Sequence, residues 1–302
     1  MASNLKGPLY LGAAASIWGG MYVASKYALH TVPPFTLLFI RYALAAAALL
    51  GWCRIRRTAV IPREDRWLLF QIGFFGYFLS IAAQFIGTKL ATAHMGAVIT
   101  TLSPVFQSGF AIWLLRAKMN FRQSVAIGVS LAGVLVITCT NGVSRAETFN
   151  PGNLFFLAAA CLWGYYSVLA KKAALRHTTL QITTWGILWA ALLAIPPALS
   201  EVHSWNMARA LSGWPVLLSI LYIALLSTTI AFFCWNKGVA LTNPHQAGLF
   251  FFLQPVVGSI LGWLILGEVL SPSFFAGSLL ILAGVYFVMQ SESPGDTRAL
   301  ET

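Results

Sequence analysis

The chain has 302 residues, of which 58% are hydrophobic and 9% are charged, and its formal net charge is +11. An ordinary soluble chain carries roughly 25% charged residues. So few charges could not cover so much apolar surface in water, which excludes a disordered chain, a collagen-like fibre and a soluble disulfide scaffold. The composition therefore predicts an integral membrane protein.

Ten apolar runs are long enough, at about 20 residues each, to cross the hydrocarbon core of a bilayer. They lie near residues 8–30, 34–52, 66–88, 94–115, 121–139, 152–174, 179–199, 214–236, 244–266 and 272–290. Little of the chain remains between them. The sequence therefore predicts an all-α membrane protein of ten transmembrane helices with no soluble domain.

Lysine and arginine are distributed unevenly over the connections between these runs. With the N-terminus in the cytoplasm, fourteen of the nineteen fall on cytoplasmic segments and four on outer ends, and Arg41 lies within a run. The positive-inside rule then predicts a multi-pass membrane protein with both termini in the cytoplasm. Because the charges form short clusters between apolar runs, they orient the protein and indicate no nucleic-acid partner.

The two halves of the chain are similar to each other. Residues 15–19 (Ala-Ser-Ile-Trp-Gly) match 160–164 (Ala-Cys-Leu-Trp-Gly), and residues 131–134 match 282–285 (both Leu-Ala-Gly-Val). Five runs per half is an odd number, so the second half would insert upside down, as in transporters that work by alternating access. We predict a first five-helix repeat over 1–140, an inverted second repeat over 141–291 and a polar cytoplasmic tail over 292–302.

Several motifs are shared with a known family. They are a Trp-Gly pair in the first helix of each half, the pair Arg41-Tyr42, a proline in spans four and nine, and Leu-Gly-Glu-Val-Leu at 266–270 before an Ala-Gly-Val helix. With these motifs the chain resembles the drug/metabolite transporter superfamily, EamA type. Within the superfamily the chain most resembles the YddG-type bacterial aromatic amino acid exporters. The resemblance covers essentially the whole chain and implies an exporter or facilitator of small metabolites in the bacterial inner membrane. The first half departs from it, with Leu-Arg-Ala-Lys at 115–118.

Acidic residues are absent from all ten runs. Proton relays and cation sites in membranes usually depend on a buried carboxylate, so a zwitterionic, neutral or anionic substrate is favoured over a proton-coupled organic cation. His94 and His245 could still titrate, although solvated or capping roles suit them as well. The sequence predicts no catalytic residue, no metal site and no cofactor, since its cysteines stand apart and it has no HExxH, GxSxG or Walker motif.

Polar residues of the third run recur at i, i+3 and i+7 and therefore share a helix face. They are Tyr77, Ser80 and Gln84. The equivalent positions of the eighth run are Thr228, Ala231 and Trp235. We expect these faces to line a substrate cavity; alternatively, their polar groups join neighbouring helices.

Aromatic residues lie near the middle of the first and sixth runs, although membrane tryptophans usually prefer the interface. Trp18 and Trp163 either pack helices together or form a wall for the substrate. The aromatic surface of the second half would be extended by Tyr166, Trp185 and Trp189.

Arg41 lies about 10 Å inside the outer end of its run. In a structural role, its side chain would extend to the membrane surface or donate to backbone carbonyls. In a functional role, it would bind the carboxylate of a passing substrate. Pro104 and Pro255 are expected to kink spans four and nine and are candidates for gating. Gln254 and Tyr22 complete the candidate cavity residues.

Other classes of protein fit less well. An intramembrane enzyme would need paired acid–base or nucleophilic groups within the membrane, and a channel would need a filter loop or a charged ring, neither of which the sequence contains. Other substrates of the superfamily, such as purines, sugars and organic cations, stay open. The expected partners are a small-molecule substrate and the lipid bilayer, and the oligomeric state is open, with a monomer sufficient.

Overall fold

The computed structural model describes residues 5–57, 65–91, 96, 99–139, 150–205, 213–266 and 272–289. Over these residues the fold is helical and contains no strand. The helices are α1 (Lys6–Leu29), α2 (Pro34–Arg56), α3 (Arg66–Leu90), α4 (Ser103–Leu115), α5 (Phe121–Cys139), α6 (Gly152–Ala173), α7 (Thr179–Glu201), α8 (Trp214–Leu241), α9 (consecutive segments Pro244–Leu249, Phe250–Phe252 and Leu253–Leu266) and α10 (Pro272–Met289). The predicted all-helical fold is confirmed for this part of the chain.

Five of the described helices are long and apolar enough to cross a membrane. They are α2, α3, α6, α7 (extended to Ser204) and α8, while α4, α5 and α10 contain shorter apolar stretches. The predicted start of span four, at His94, lies outside the described residues. The number of spans therefore stays a prediction.

The outside of the bundle is covered by large apolar side chains. Leu9, Phe121 and Leu279 are 69%, 83% and 70% exposed. Exposed apolar surface of this extent is costly in water and suits contact with lipid tails. The bundle therefore has its apolar residues both in its core and on its perimeter, as expected for a membrane protein.

Two helices contain a π-helical segment in their middle. The segments are Ile72–Leu79 in α3 and Tyr222–Ile230 in α8. In α8 the hydroxyls of Thr228 and Thr229 donate to carbonyls five residues earlier, which satisfies backbone groups that the wide turn would leave free. One extra residue in a turn rotates the following part of α3 or α8 by roughly 100°, and this changes which side chains face the same neighbour before and after the segment.

Pro104 and Pro255 mark breaks in helices rather than the predicted mid-helix kinks. Pro104 lies in the first turn of α4, directly after the turn at 101–102. Pro255 lies in the first turn of the last α9 segment, directly after the tight turn Phe250–Phe252. Proline is tolerated at these positions because the first amide groups of a helix have no intrahelical acceptor.

The packing partners of the helices follow a regular pattern. In the first half α1 packs against α8 and α9, and in the second half α6 packs against α3 and α4. α2 packs against α7, and α5 against α10. Each of these contacts joins a helix of residues 1–140 to a helix of residues 141–291, so the two segments are interleaved.

Glycines allow the closest of these approaches. A methyl group added at Gly19 would lie 3.0 Å from the backbone oxygen of Gln254 in α9, and one at Gly164 would lie 2.6 Å from the backbone nitrogen of Gln107 in α4. Small residues at helix crossings are typical of membrane bundles, where close backbone packing replaces the hydrophobic effect between helices.

The crossing of α5 and α10 gives a testable prediction. In Gly133→Ala the new methyl group would lie 2.6 Å from the backbone oxygen of Gly277, so the helices must move apart. We expect the free energy of unfolding to fall by about 1–3 kcal/mol, measured as thermal denaturation in detergent. Gly128→Ala on the same helix is the matched control, because its methyl group meets nothing within 4 Å; equal losses in both variants would contradict this packing.

Candidate functional site

A cavity of about 860 Å³ lies at the end of the bundle where α1, α3 and α7 end and α2 begins. Its volume falls in the range of sites for small organic molecules. It reaches along α1 from His30 to Met21, about 13 Å at 1.5 Å per residue. Its lining consists of Met21, Ser25, Leu29, His30, Thr31, Val32, Pro33, Pro34, Gln84, Phe85, Thr88, Lys89, Ser200, Glu201, Ser204 and Trp205.

The rim of the cavity is held together by a carboxylate. Glu201, the last residue of α7, accepts hydrogen bonds from the backbone nitrogen (2.7 Å) and the hydroxyl (2.9 Å) of Thr36. Thr36 lies in the first turn of α2, whose capping position is Pro33 and offers no side-chain acceptor. A carboxylate is favourable at this helix terminus, so Glu201 caps α2 and joins it to α7.

The floor of the cavity covers a buried guanidinium. Arg41 of α2 is fully buried; its Nε donates to the Thr228 hydroxyl at 2.8 Å, and its Nη1 lies 3.9 Å from the Met21 sulfur. Its charged carbon lies 5.4 Å from the centre of the Tyr42 ring and 5.9 Å from that of Phe85. Met21 and Phe85 also line the cavity, so they separate Arg41 from it.

The centre of the bundle is an aromatic cluster. Trp18 and Trp163 meet edge to face, with ring centroids 5.0 Å apart. Trp18 also packs against Phe232 and Trp235, at 5.5 Å and 5.4 Å, and its indole nitrogen donates to the backbone oxygen of Ser227 at 2.9 Å. Neither tryptophan lines the cavity, and both are buried. Their contacts here are those of helix packing.

A closed polar network borders the aromatic cluster. The hydroxyls of Tyr77 and Tyr166 lie 3.1 Å apart, and Tyr166 donates to the side-chain oxygen of Asn236 at 2.7 Å. The Asn236 amide donates to Tyr77 (2.8 Å) and to Thr183 (2.9 Å). These bonds join α3, α6, α7 and α8. Because such groups are costly to leave unpaired away from water, the network fixes how the four helices meet.

The predicted polar face of α3 is divided between three environments. Tyr77 lies in the buried network, Ser80 donates to the backbone oxygen of Ala159 in α6 at 3.0 Å, and Gln84 lines the cavity. The i, i+3, i+7 spacing assumes a regular α-helix, whereas the π segment ends at Leu79 and changes the phase between Tyr77 and the later positions. The equivalent residues of α8, Thr228, Ala231 and Trp235, are fully buried in the core.

Neither Trp185 nor Gln254 lines the cavity. Trp185 is half-buried against the core on α7, and Gln254 is buried in α9 beside the Gly19 crossing. The side chain of Tyr22, like His94, lies outside the described residues. His245 is fully buried at the start of α9.

The pattern of apolar runs does not predict the roles of two residues in this region, Glu201 and Asn236. Glu201 lies beyond the seventh run in the sequence, yet in the structure it ends α7 and caps α2. Asn236 stands at the end of the eighth run, and in the structure it completes the tyrosine network. The sequence signal for Asn236 is an asparagine within an otherwise apolar run, because an asparagine in a membrane helix usually has a hydrogen-bond partner.

Comparison with known proteins decides the family. The model of the EamA-like transporter family matches residues 5–139 and 150–290 of this chain. The chain belongs to the EamA-like transporter family. Its resemblance to that type of the drug/metabolite transporter superfamily is thereby confirmed, and family members are multi-pass membrane transporters of small molecules.

Individual relatives are similar over nearly their whole length. An "Uncharacterized transporter" of Archaeoglobus fulgidus is 27% identical over 292 residues, covering 94% of this chain and 97% of its own. A "Probable amino-acid metabolite efflux pump" of Salmonella typhimurium is 25% identical, covering 89% and 90%. A solved crystal structure shares the fold, with a TM-score of 0.78 and 21% identity over 98% of this chain and 99% of that one.

The tyrosine network can be tested with two neighbouring tyrosines. Tyr166→Phe removes a hydroxyl that bonds to both Tyr77 and Asn236, so we expect the free energy of unfolding to fall by about 1–3 kcal/mol. Tyr165→Phe makes the same chemical change on a ring that packs against Phe75 and Phe110, and should change stability by less than about 0.5 kcal/mol. Indistinguishable melting curves for the two variants would show that the network does not stabilise the bundle.

The division of the α3 face gives a second prediction. Gln84→Ala changes the cavity wall and should weaken transport several-fold, seen as a higher apparent KM, with little change in melting temperature. Ser80→Ala removes a bond between α3 and α6 and should lower stability by about 1 kcal/mol while leaving the apparent KM unchanged. The opposite pattern, with Gln84 affecting stability alone, would assign Gln84 to helix packing.

Proposed function

We propose that this protein exports small organic metabolites, most of all amino acids including aromatic ones, by alternating access between two inverted five-helix halves. The observation that carries the proposal is the cavity of about 860 Å³, which extends about 13 Å into the bundle and ends above its packed centre, in a chain of a transporter family. A cavity that is accessible from one end and closed at the other suits a transporter in one of its two access states.

Matched contacts between the halves support the inverted repeat. Gly19 crosses α9 beside Val257 and Gly258, and Gly164 crosses α4 beside Phe106 and Gln107, which are the positions that the sequence repeat relates. The π segments of α3 and α8 lie at related positions, as do the breaks before Pro104 and Pro255. The proposed boundary at 140/141 falls between the two stretches that the family model matches.

The two ends of the bundle are joined differently. At the cavity end, Glu201 of the second half bonds to Thr36 of the first. At the opposite end, the Gln107 amide of the first half donates to the backbone oxygen of Pro244 of the second at 2.7 Å, while Lys171 bonds within the second half to the backbone oxygens of Ala240 and Thr242. Alternating access would require the bond between Gln107 and Pro244 to open as the cavity end closes.

The charge distribution supports an orientation. Arg54 and Arg56 end α2, and Arg116 and Lys171 lie at the same end of the bundle, opposite the cavity. By the positive-inside rule this end would face the cytoplasm, so the cavity would open to the outside of a bacterial inner membrane. An exporter in this state would be ready to release its substrate.

Two observations support an amino acid as the substrate. The Salmonella typhimurium relative is named as an amino-acid metabolite efflux pump. The cavity is large enough for an aromatic amino acid, and its lining includes side chains of both signs of charge, Lys89 and Glu201, which suits a zwitterion.

Counterflow in proteoliposomes tests the proposal. The purified chain would be supplied with labelled phenylalanine, threonine or an organic cation, with and without a pH gradient. We expect exchange of phenylalanine that does not require the gradient, because no spanning run contains a carboxylate for proton coupling. Exchange of the cation without exchange of either amino acid would overturn the substrate class.

A further inference from the structure

Only part of the buried guanidinium of Arg41 is hydrogen-bonded within the protein. Its Nε donates to Thr228, but its Nη2 is buried and has no hydrogen-bond partner in the described part of the chain. The residue itself is fully buried in the interior of α2. A guanidinium has five hydrogen-bond donors. Burying its positive charge is unfavourable unless an acceptor of negative charge binds to these donors.

Carboxylates of the described residues are committed elsewhere. They belong to Asp65 and Glu201. Asp65 contacts Arg176 and His177, at 3.4 Å and 3.0 Å. Glu201 accepts both hydrogen bonds from Thr36. Within the described ranges, Arg41 therefore has no anionic partner.

The side chains between Arg41 and the cavity are replaceable. The Met21 sulfur, 3.9 Å from Nη1, is a weak acceptor on a flexible side chain. Phe85 contributes only a ring face, with its centre 5.9 Å from the guanidinium carbon. Because Met21 contacts Nη1 and also lines the cavity, a rotation of its side chain would open a path from the cavity to the end of the guanidinium that carries Nη1 and Nη2.

A second buried donor belongs to Trp163, which packs against Trp18. The indole nitrogen of Trp163 is buried and, among the described residues, has no acceptor. The indole nitrogen of Trp18 donates to the backbone oxygen of Ser227, and the next residue, Thr228, accepts from Arg41. Arg41 and Trp163 thus each keep a buried donor that is unpaired within the described residues, which suits a ligand that supplies acceptors rather than donors.

We propose that Arg41 anchors the carboxylate of the transported molecule, which displaces the Met21 thioether and accepts hydrogen bonds from Nη1 and Nη2 together. A bidentate carboxylate matches the geometry of a guanidinium and supplies the missing negative charge. The inference rests on the proposed transport function and narrows its substrates to small metabolites with a carboxylate, whether or not they also carry an ammonium group.

The test uses three probes of one shape: phenylalanine, phenylalaninamide and 3-phenylpropionate. In the wild-type chain, phenylalanine and 3-phenylpropionate should compete with labelled phenylalanine at least about tenfold better than the amide, and both should raise the melting temperature. This ligand series tests the proposal even if an Arg41 variant does not fold. Equal competition by the amide would overturn it.

Variants of Arg41 separate anchoring from a structural role. In Arg41→Gln, affinity for the two carboxylates should fall about tenfold or more while affinity for the amide stays within about threefold. Arg41→Lys, which keeps the charge but loses the fork, should give an intermediate loss. Arg54→Gln on the same helix is the control and should behave as wild type. Equal losses for all three probes in Arg41→Gln would make Arg41 structural.

The two proposals fail in distinguishable ways. If the wild-type chain exchanges no amino acid but is stabilised by 3-phenylpropionate and not by 3-phenylpropanamide, the amino-acid function fails and the carboxylate anchor stands. If phenylalanine is exchanged and the amide competes equally well, the function stands and the anchor fails.

Discussion

Trp18 and Trp163 meet edge to face in the centre of the bundle, and each is followed by a glycine that lets its helix cross a helix of the other half at backbone contact. Lipid tails are as apolar as leucine, so helices in a bilayer associate through close packing and hydrogen bonds rather than through the hydrophobic effect. The two Trp-Gly crossings therefore set the distance between the halves. In the proposed alternating-access mechanism the halves would pivot about this contact, because separating it would expose the glycine backbones.

Polar groups around this contact fall into two kinds. On one side, Tyr77, Tyr166 and Asn236 satisfy one another, and such a complete network rigidifies the helices that carry it. On the other, Arg41 and Trp163 keep buried donors without an acceptor in the described residues. A buried unpaired donor is unfavourable, so it marks a place where a ligand gains more by binding than it would elsewhere in the bundle. The complete network provides the rigid frame, and the partly paired Arg41 contacts Met21 and Phe85, which line the cavity.

The sequence predicts the helices well and their interior irregularities poorly. Runs of apolar residues locate α1 to α10 because a bilayer demands about 20 of them per span, and the Trp-Gly pairs mark the two helices, α1 and α6, whose tryptophans meet in the structure. Hydropathy says nothing about the π segments, since a turn of five residues is as apolar as a turn of four. The structure places Tyr77 in the buried network, Ser80 against α6 and Gln84 in the cavity lining, so a joint role of the three in one cavity wall stays a prediction. Hydropathy also cannot identify Glu201 as a cap, because its partner, Thr36, is 165 residues away in sequence.

The central claim, that the two halves exchange conformations about the Trp18–Trp163 contact, is tested most directly by pairs of distances at the two ends of the bundle. Spin labels at Thr31 and Ser204 span the cavity mouth, and labels at Lys118 and Leu241, both exposed, span the opposite end. Double electron–electron resonance in nanodiscs would measure both distances with and without phenylalanine. The account predicts a second population in which the distance at the cavity mouth is shorter and the distance at the opposite end is longer. Distances that change in the same direction, or a single population at both ends under every condition, would contradict it.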